Sequence, residues 1–356
     1  MQTSKEAFLF LVRLGLNQSV GSLPESFDWC EIETIADQQG LLAIVVDGIE
    51  QLSNDKRPPK ELLLQWIGRV MNDESCHVAQ QNAAAEMASL FHRNYIRTYV
   101  LKGAVIAECY PKAHHRWSAD LDCFLLPQKG QFDAWALGND LIRSNRVEVS
   151  DGFYKNSTFY LPGLTVENHR FMTPFRGNKK LKYFEIMLQG MLGEDKGEDL
   201  FENTYLYRPP VMVTALFLIE HAYSHFLSEG LTWRHILDWM MFGKKHKDEL
   251  DWNSFYALID EFGFRKFYDS YNRLGKYLIG ELYDSSLTYQ DKRMLKDVWA
   301  PLDLHETLHG VKAKISFALS TMRAAWKYHY FSEISMPHAL WIQVKGFLFI
   351  KHPTLD

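Results

Sequence analysis

Residues 98–127 read TYVLKGAVIAECYPKAHHRWSADLDCFLLP, and this stretch decides the fold. Tyr99-Val100-Leu101 is a short apolar strand that stops at Lys102-Gly103. The residues after the glycine predict a helix over 104–109. A loop over 112–119 carries Arg116 and Ser118 and leads into a second strand bearing Asp120-Leu121-Asp122. Side chains alternate along a strand, so Asp120 and Asp122 share one face while Leu121, Cys123 and Leu125 turn to a core. Two adjacent carboxylates repel unless a positive group lies between them. A hard divalent cation such as Mg²⁺ or Mn²⁺ meets that need and keeps positions open for phosphate oxygens. Gly103, lacking a Cβ, allows close approach of a ligand or another backbone. The helix that starts there offers free N–H groups and a positive dipole end to an anion. Lys102 adds a point charge for the same phosphates, and Arg116 either does likewise or pairs with one of the acids. A D-x-D pair in isolation is more often a solvated strand edge than a metal site. The order strand, K-G, helix, Arg loop, D-x-D is what makes it specific.

The pattern L-K-G-x(6)-Y-P-x(4)-R-x(3)-D-x-D spans Leu101 to Asp122. It resembles the uncharacterised nucleotidyltransferase family found mainly in bacteria, within the DNA polymerase β-like superfamily. The family's K-G, Y-P, R and D-x-D correspond to Lys102-Gly103, Tyr110-Pro111, Arg116 and Asp120-x-Asp122, and the chain departs from it at Ala119, where a glycine or serine is usual. The resemblance implies a nucleotide substrate, divalent-metal catalysis and a third acid from a later strand.

Glu167 is the candidate for that third acid. The segment 157–160 is rich in β-formers, a second strand is expected over 164–171, and Leu161-Pro162-Gly163-Leu164 between them is a type II turn. Thr165, Glu167 and His169 then share one face. On spacing alone Glu167 reads equally as a surface strand glutamate or as a general base or third metal ligand; the resemblance favours the latter, with His169 orienting it or touching phosphate.

The chain has 356 residues, enough for two or three domains. Apolar content of 47% and charged content of 23% are ordinary for a globular protein. A net charge of −5 does not favour nucleic acid as a partner, although a local basic patch remains open. Four cysteines, Cys30, Cys76, Cys109 and Cys123, have no paired spacing and read as free thiols in a reducing cytosol. No signal peptide and no membrane span is expected, the nearest candidate being 211–226, which contains Glu220, His221 and His225.

The fold class expected is α+β: a small mixed sheet flanked by helical regions on both sides. The expected division is a helical region over 1–95, an α/β core over 96–180 and a helical domain over 181–356. Within the first, helices are expected on either side of Gly40 and a long one over 60–94. Within the last, His221 and His225 stand one turn apart but lack a third soft ligand, so they read as structural. Arg234 and Asp238 are placed to pair on one helix face, while the resemblance sets Arg234 near the nucleotide. The stretch 312–351 mixes lysines with aromatic residues and reads mainly as solvated helix faces, less often as an RNA-binding surface. The function expected is transfer of a nucleoside monophosphate from an NTP such as ATP to an unknown acceptor hydroxyl. The alternatives are a non-catalytic nucleotide-binding module, a toxin-like or antiviral transferase acting on RNA or protein, and a helical scaffold with an incidental D-x-D.

Overall fold

The structure is a computed structural model; it describes residues 2–18, 21–116, 118–194, 197–300, 319, 322–349 and 353–355. Among these the chain is mixed α/β, with one seven-stranded sheet and helices before and after it, as the sequence implies.

The N-terminal helices are α1 (Gln2–Gly15), α2 (Trp29–Gln39), α3 (Leu42–Glu50) and α4 (Lys60–Arg93). Asp28 caps α2 by accepting from the Cys30 amide, and Gly40 ends it in a left-handed conformation. α1 and α3 touch backbone to backbone: a Cβ on Gly15 would lie 2.1 Å from the Ile44 carbonyl oxygen, and one on Gly48 as close to that of Leu11. α4 has 34 residues, roughly 50 Å of helix, and lies along the sheet.

The strands are β1 (Ile96–Val100), β2 (Asp120–Pro127), β3 (Val149–Ser150), β4 (Asn156–Leu161), β5 (Leu164–His169), β6 (Glu198–Asp199) and β7 (Leu206–Arg208), in spatial order β3-β4-β5-β2-β1-β7-β6. β2 is central, antiparallel to β1 and parallel to β5. It is buried on both faces, because Leu121, Cys123 and Leu125 alternate with Asp122 and Phe124 and all five are covered. Helices α5 (Ala104–Ala107), α6 (Ala134–Ser144) and α7 (Lys179–Gly193) interrupt the strands. α6 packs on the Leu125 face, where a Cβ on Gly138 would meet the Leu125 side chain at 2.4 Å.

The helix after Gly103 is four residues long rather than the six expected, so its macrodipole is small. A two-residue strand forms at Val149–Ser150, after Arg146 takes a positive φ of 61°. Residues 198–199 and 206–208 fall in the stretch expected to be helical; instead they join the sheet, β7 pairing parallel with β1. The turn at Pro162-Gly163 has φ of 74° at the glycine, as a type II turn requires.

After the sheet come α8 (Val211–Ser228), α9 (Trp233–Lys245), α10 (Trp252–Glu261), α11 (Arg265–Leu278), α12 (Tyr289–Val298), α13 (Ala325–Phe331) and α14 (Met336–Phe349). α8 has the length and apolarity to cross a bilayer, yet most of it is buried in the fold. Lys312, Lys314 and Lys351 of the basic–aromatic stretch lie outside the described residues. Lys327 is not a solvated lysine: it is buried, paired with Asp297 at 2.8 Å and donating to the Phe226 carbonyl at 2.7 Å.

Glu220 is also buried in α8. It accepts a 2.6 Å bond from Ser224 on one oxygen, and burial pushes its carboxyl up to about 7. An acid whose pKa is higher folded than unfolded makes stability fall as pH rises between the two values. Glu220→Gln is therefore expected to gain on the wild type from about pH 4 to about pH 8, by up to about 3 kcal/mol in urea unfolding. A difference that stays flat with pH would contradict a buried, neutral Glu220.

Candidate active site

Strand pairing builds the site. In the parallel β2–β5 ladder Asp120 lies beside Thr165 and Asp122 beside Glu167. Since β-register fixes faces, the three acids share one side of the sheet. His169, two residues on, reaches back between two of them, with Nε2 3.0 Å from Asp122 Oδ1 and 3.4 Å from Glu167 Oε2. Lys102 enters from the end of β1, where the Leu101 amide donates to the Asp122 carbonyl at 2.9 Å. Its ammonium stands 3.2 Å from Asp122 Oδ2 and 3.1 Å from Nε2 of His221 on α8.

The charges explain the protonation states. Burial alone would raise the Asp122 carboxyl, but Lys102 and then His169 outweigh it and hold that carboxyl well below the carboxylate range. Asp120 goes the other way, raised by burial and then by Asp122. Glu167 is lowered, chiefly by its bond from His169. Burial lowers His169, and the bonds to Asp122 and Glu167 more than restore it, for a net rise. Burial likewise opposes the Lys102 ammonium, and Asp122, Asp120 and Glu167 together raise it. His221 is driven far down by burial and by Lys102, so it is neutral and its Nε2 accepts from the ammonium.

The residues fit a divalent cation. One ligand atom each from Asp122, Glu167 and His169 lie within 4.8 Å of one another. Asp122 Oδ2 is buried without a hydrogen-bond partner. The Lys102 ammonium stands 3.2 Å from it as an ion pair, a contact that a bound cation would share or displace. Asp120 lies outside this trio but feels both other acids.

A small open cleft lies at Asp120, lined also by Lys102, Arg116, Ser118, His221 and Arg234 among others. Gly103 lies in an adjoining pocket that shares Arg116, Ser118 and Asp120. Its φ of 64° suits glycine, and a Cβ there would press on Ser118 Oγ at 3.2 Å. Ser118 Oγ donates to the Asp120 carbonyl at 2.9 Å, which shapes the loop rather than leaving the hydroxyl idle.

Arg116 is buried, and it pairs with neither Asp120 nor Asp122. Its Nε and Nη2 grip Asp238 of α9 at 3.1 and 2.5 Å. Tyr110 of the Y-P pair donates to the same carboxylate at 2.7 Å. The expected Arg234–Asp238 helix pair is thus not the main use of Asp238. Burial and then Arg116 lower Arg234, whose side chain passes Gly40 and lines the cleft. Sequence reasoning had given Tyr110 only a motif role, Asp238 to Arg234, and His221 a structural role; the one available signal was the polar set Glu220, His221, Ser224 and His225 on a largely apolar helix.

A family model described as uncharacterised nucleotidyltransferase matches residues 25–280, well over half the chain. Comparison with curated proteins and with solved structures gave no match. The matched segment contains the Lys102-Gly103 turn, the acids of β2 and β5, and the α8–α9 wall of the cleft. The chain belongs to the uncharacterised nucleotidyltransferase family.

Proposed function

We propose that the protein is a DNA polymerase β-like, Mg²⁺- or Mn²⁺-dependent enzyme that transfers a nucleoside monophosphate from an NTP to an acceptor hydroxyl, releasing pyrophosphate. The observation that carries this reading is the register that sets Asp122 beside Glu167, on the sheet face that also bears Asp120, which lines the cleft with Lys102 and Arg234. Asp120, Asp122 and Glu167 would hold the metal, which when bound neutralises the triphosphate and favours the alkoxide of the acceptor. Glu167, lowered by His169, suits ligation better than proton abstraction. Lys102 and Arg234 would face the outer phosphates, with Arg116 setting the wall behind them. Gly103 and Ser118 would let the loop close on the nucleotide. The region before 95 and the helices after 180 would form the two flanks of the α/β core.

A second reading, nucleotide binding without transfer, has one observation in its favour: Lys102 and His169 already neutralise Asp122. The test is to offer each of the four NTPs with Mg²⁺ and to follow pyrophosphate, with and without cell extract as a source of acceptor. Binding without pyrophosphate in every case would select the second reading.

Lys102→Ala probes the phosphate role. It is expected to weaken nucleotide binding roughly 10-fold or more, about 1.4 kcal/mol. Thermal stability should fall too, because Asp122 loses its counter-ion, and added Mg²⁺ should restore the stability but not the affinity. A variant that loses stability alone would rule out a phosphate role for Lys102.

A further inference from the structure

A second cluster of ligand atoms stands apart from the three acids, where the short 3₁₀ turn Ala113–His115 meets α3 and α4. His115 is buried, and its Nδ1 is 2.7 Å from Asp47 Oδ2 on α3. Asp47 is a carboxylate that also accepts from Lys112 at 2.5 Å, so Nδ1 carries the proton and donates. The other ring nitrogen, Nε2, points at Glu74 Oε1 on α4, 2.8 Å away. His114 turns its own Nε2 to the same oxygen at 3.2 Å, its ring perpendicular to that of His115.

Three ligand atoms therefore converge, all within 4.8 Å of one another. A lone pair on His115 Nε2 facing a carboxylate oxygen needs a positive centre between them, a proton or a metal ion. Without a metal, His114 and His115 would each need a proton on Nε2 to donate to the same Glu74 oxygen. A metal ion uses all three. Ligands about 2.0 Å from a tetrahedral zinc stand roughly 3.3 Å apart, close to the two separations to Glu74 Oε1 of 2.8 and 3.2 Å. A histidine ligand whose far nitrogen donates to a carboxylate is the usual outer support of such a site.

We propose that His114 Nε2, His115 Nε2 and Glu74 Oε1 bind a zinc-type divalent transition-metal ion, with Asp47 orienting His115 and a water in the fourth position. The ion ties the turn to α3 and α4. Arg116, which follows directly and lines the cleft, is thereby held in place against Asp238. This assignment is independent of the nucleotidyl-transfer reading, since none of its ligands lies among the three acids.

The test is a Co²⁺ titration of the chelator-stripped full chain in excess Mg²⁺, which competes at the acids of β2 and β5, with His169→Ala as the control that removes the nitrogen ligand there. Visible ligand-field absorption reports nitrogen-bound cobalt, and Zn²⁺ should displace it. One saturable equivalent is expected, weakened roughly 10-fold or more in both His114→Ala and Glu74→Gln. His114 is half-exposed, so its alanine variant should keep the wild-type circular dichroism. Absence of saturable absorption in the wild type, or an unchanged affinity in folded His114→Ala, would overturn the assignment.

Discussion

Asp120→Asn is expected to cut pyrophosphate release roughly a thousandfold or more, about 4 kcal/mol of lost transition-state stabilisation, while leaving the protein as stable as the wild type or slightly more so. The two effects separate because Asp120 is the one of the three acids whose ionised form the site disfavours. Burial and then Asp122 raise its carboxyl, so ionised Asp120 works against the fold. The amide removes that repulsion along with the metal ligand. Asp122→Ala should lose activity as fully but also lose about 3 kcal/mol of stability, because Lys102 and the buried His169 would lose their nearest counter-charge. Urea unfolding beside the pyrophosphate assay distinguishes the two variants. An Asp120→Asn enzyme that transfers at the wild-type rate would end the metal-ligand assignment.

Asp238→Ala is expected to cost about 3–5 kcal/mol of stability, the usual penalty for stranding one half of a buried ion pair. Arg116 would remain under α9 with no carboxylate for its fork, and Tyr110 would lose its acceptor. The compensating double variant, Arg116→Met with Asp238→Leu, should regain much of the loss, since paired apolar groups of similar size can replace such a bridge. The double variant would still bind nucleotide poorly if Arg116 sets the cleft wall. A single variant within about 1 kcal/mol of wild type would show that the pair does not anchor the loop.

The elements that could be read from the chain in advance were those with local causes. The D-x-D strand alternates, the hairpin at Pro162-Gly163 has its turn residues, and α4 and the Gly40 break follow from helical periodicity and a left-handed cap. What escaped reading has a distant cause. β6 and β7 are two and three residues long, too short for any period, and exist because β1 leaves a ladder edge to pair with. Arg116 finds Asp238 only because α9 folds over the loop, a contact spanning 122 positions. The burial of Asp122 between Lys102 and His169 likewise depends on three separate segments meeting. The acids themselves and the strand that would supply the third were visible; their protonation, and the neutral His221 beside Lys102, were not.

The sheet ends on both sides in strands of two residues, β3 and β6, the latter made of Glu198 and Asp199. A neighbouring molecule would find only two-residue strands at either margin, and on one side it would meet two negative charges. The protein should therefore tolerate being concentrated without forming intermolecular ribbons, and any assembly it does form would have to use helix surfaces.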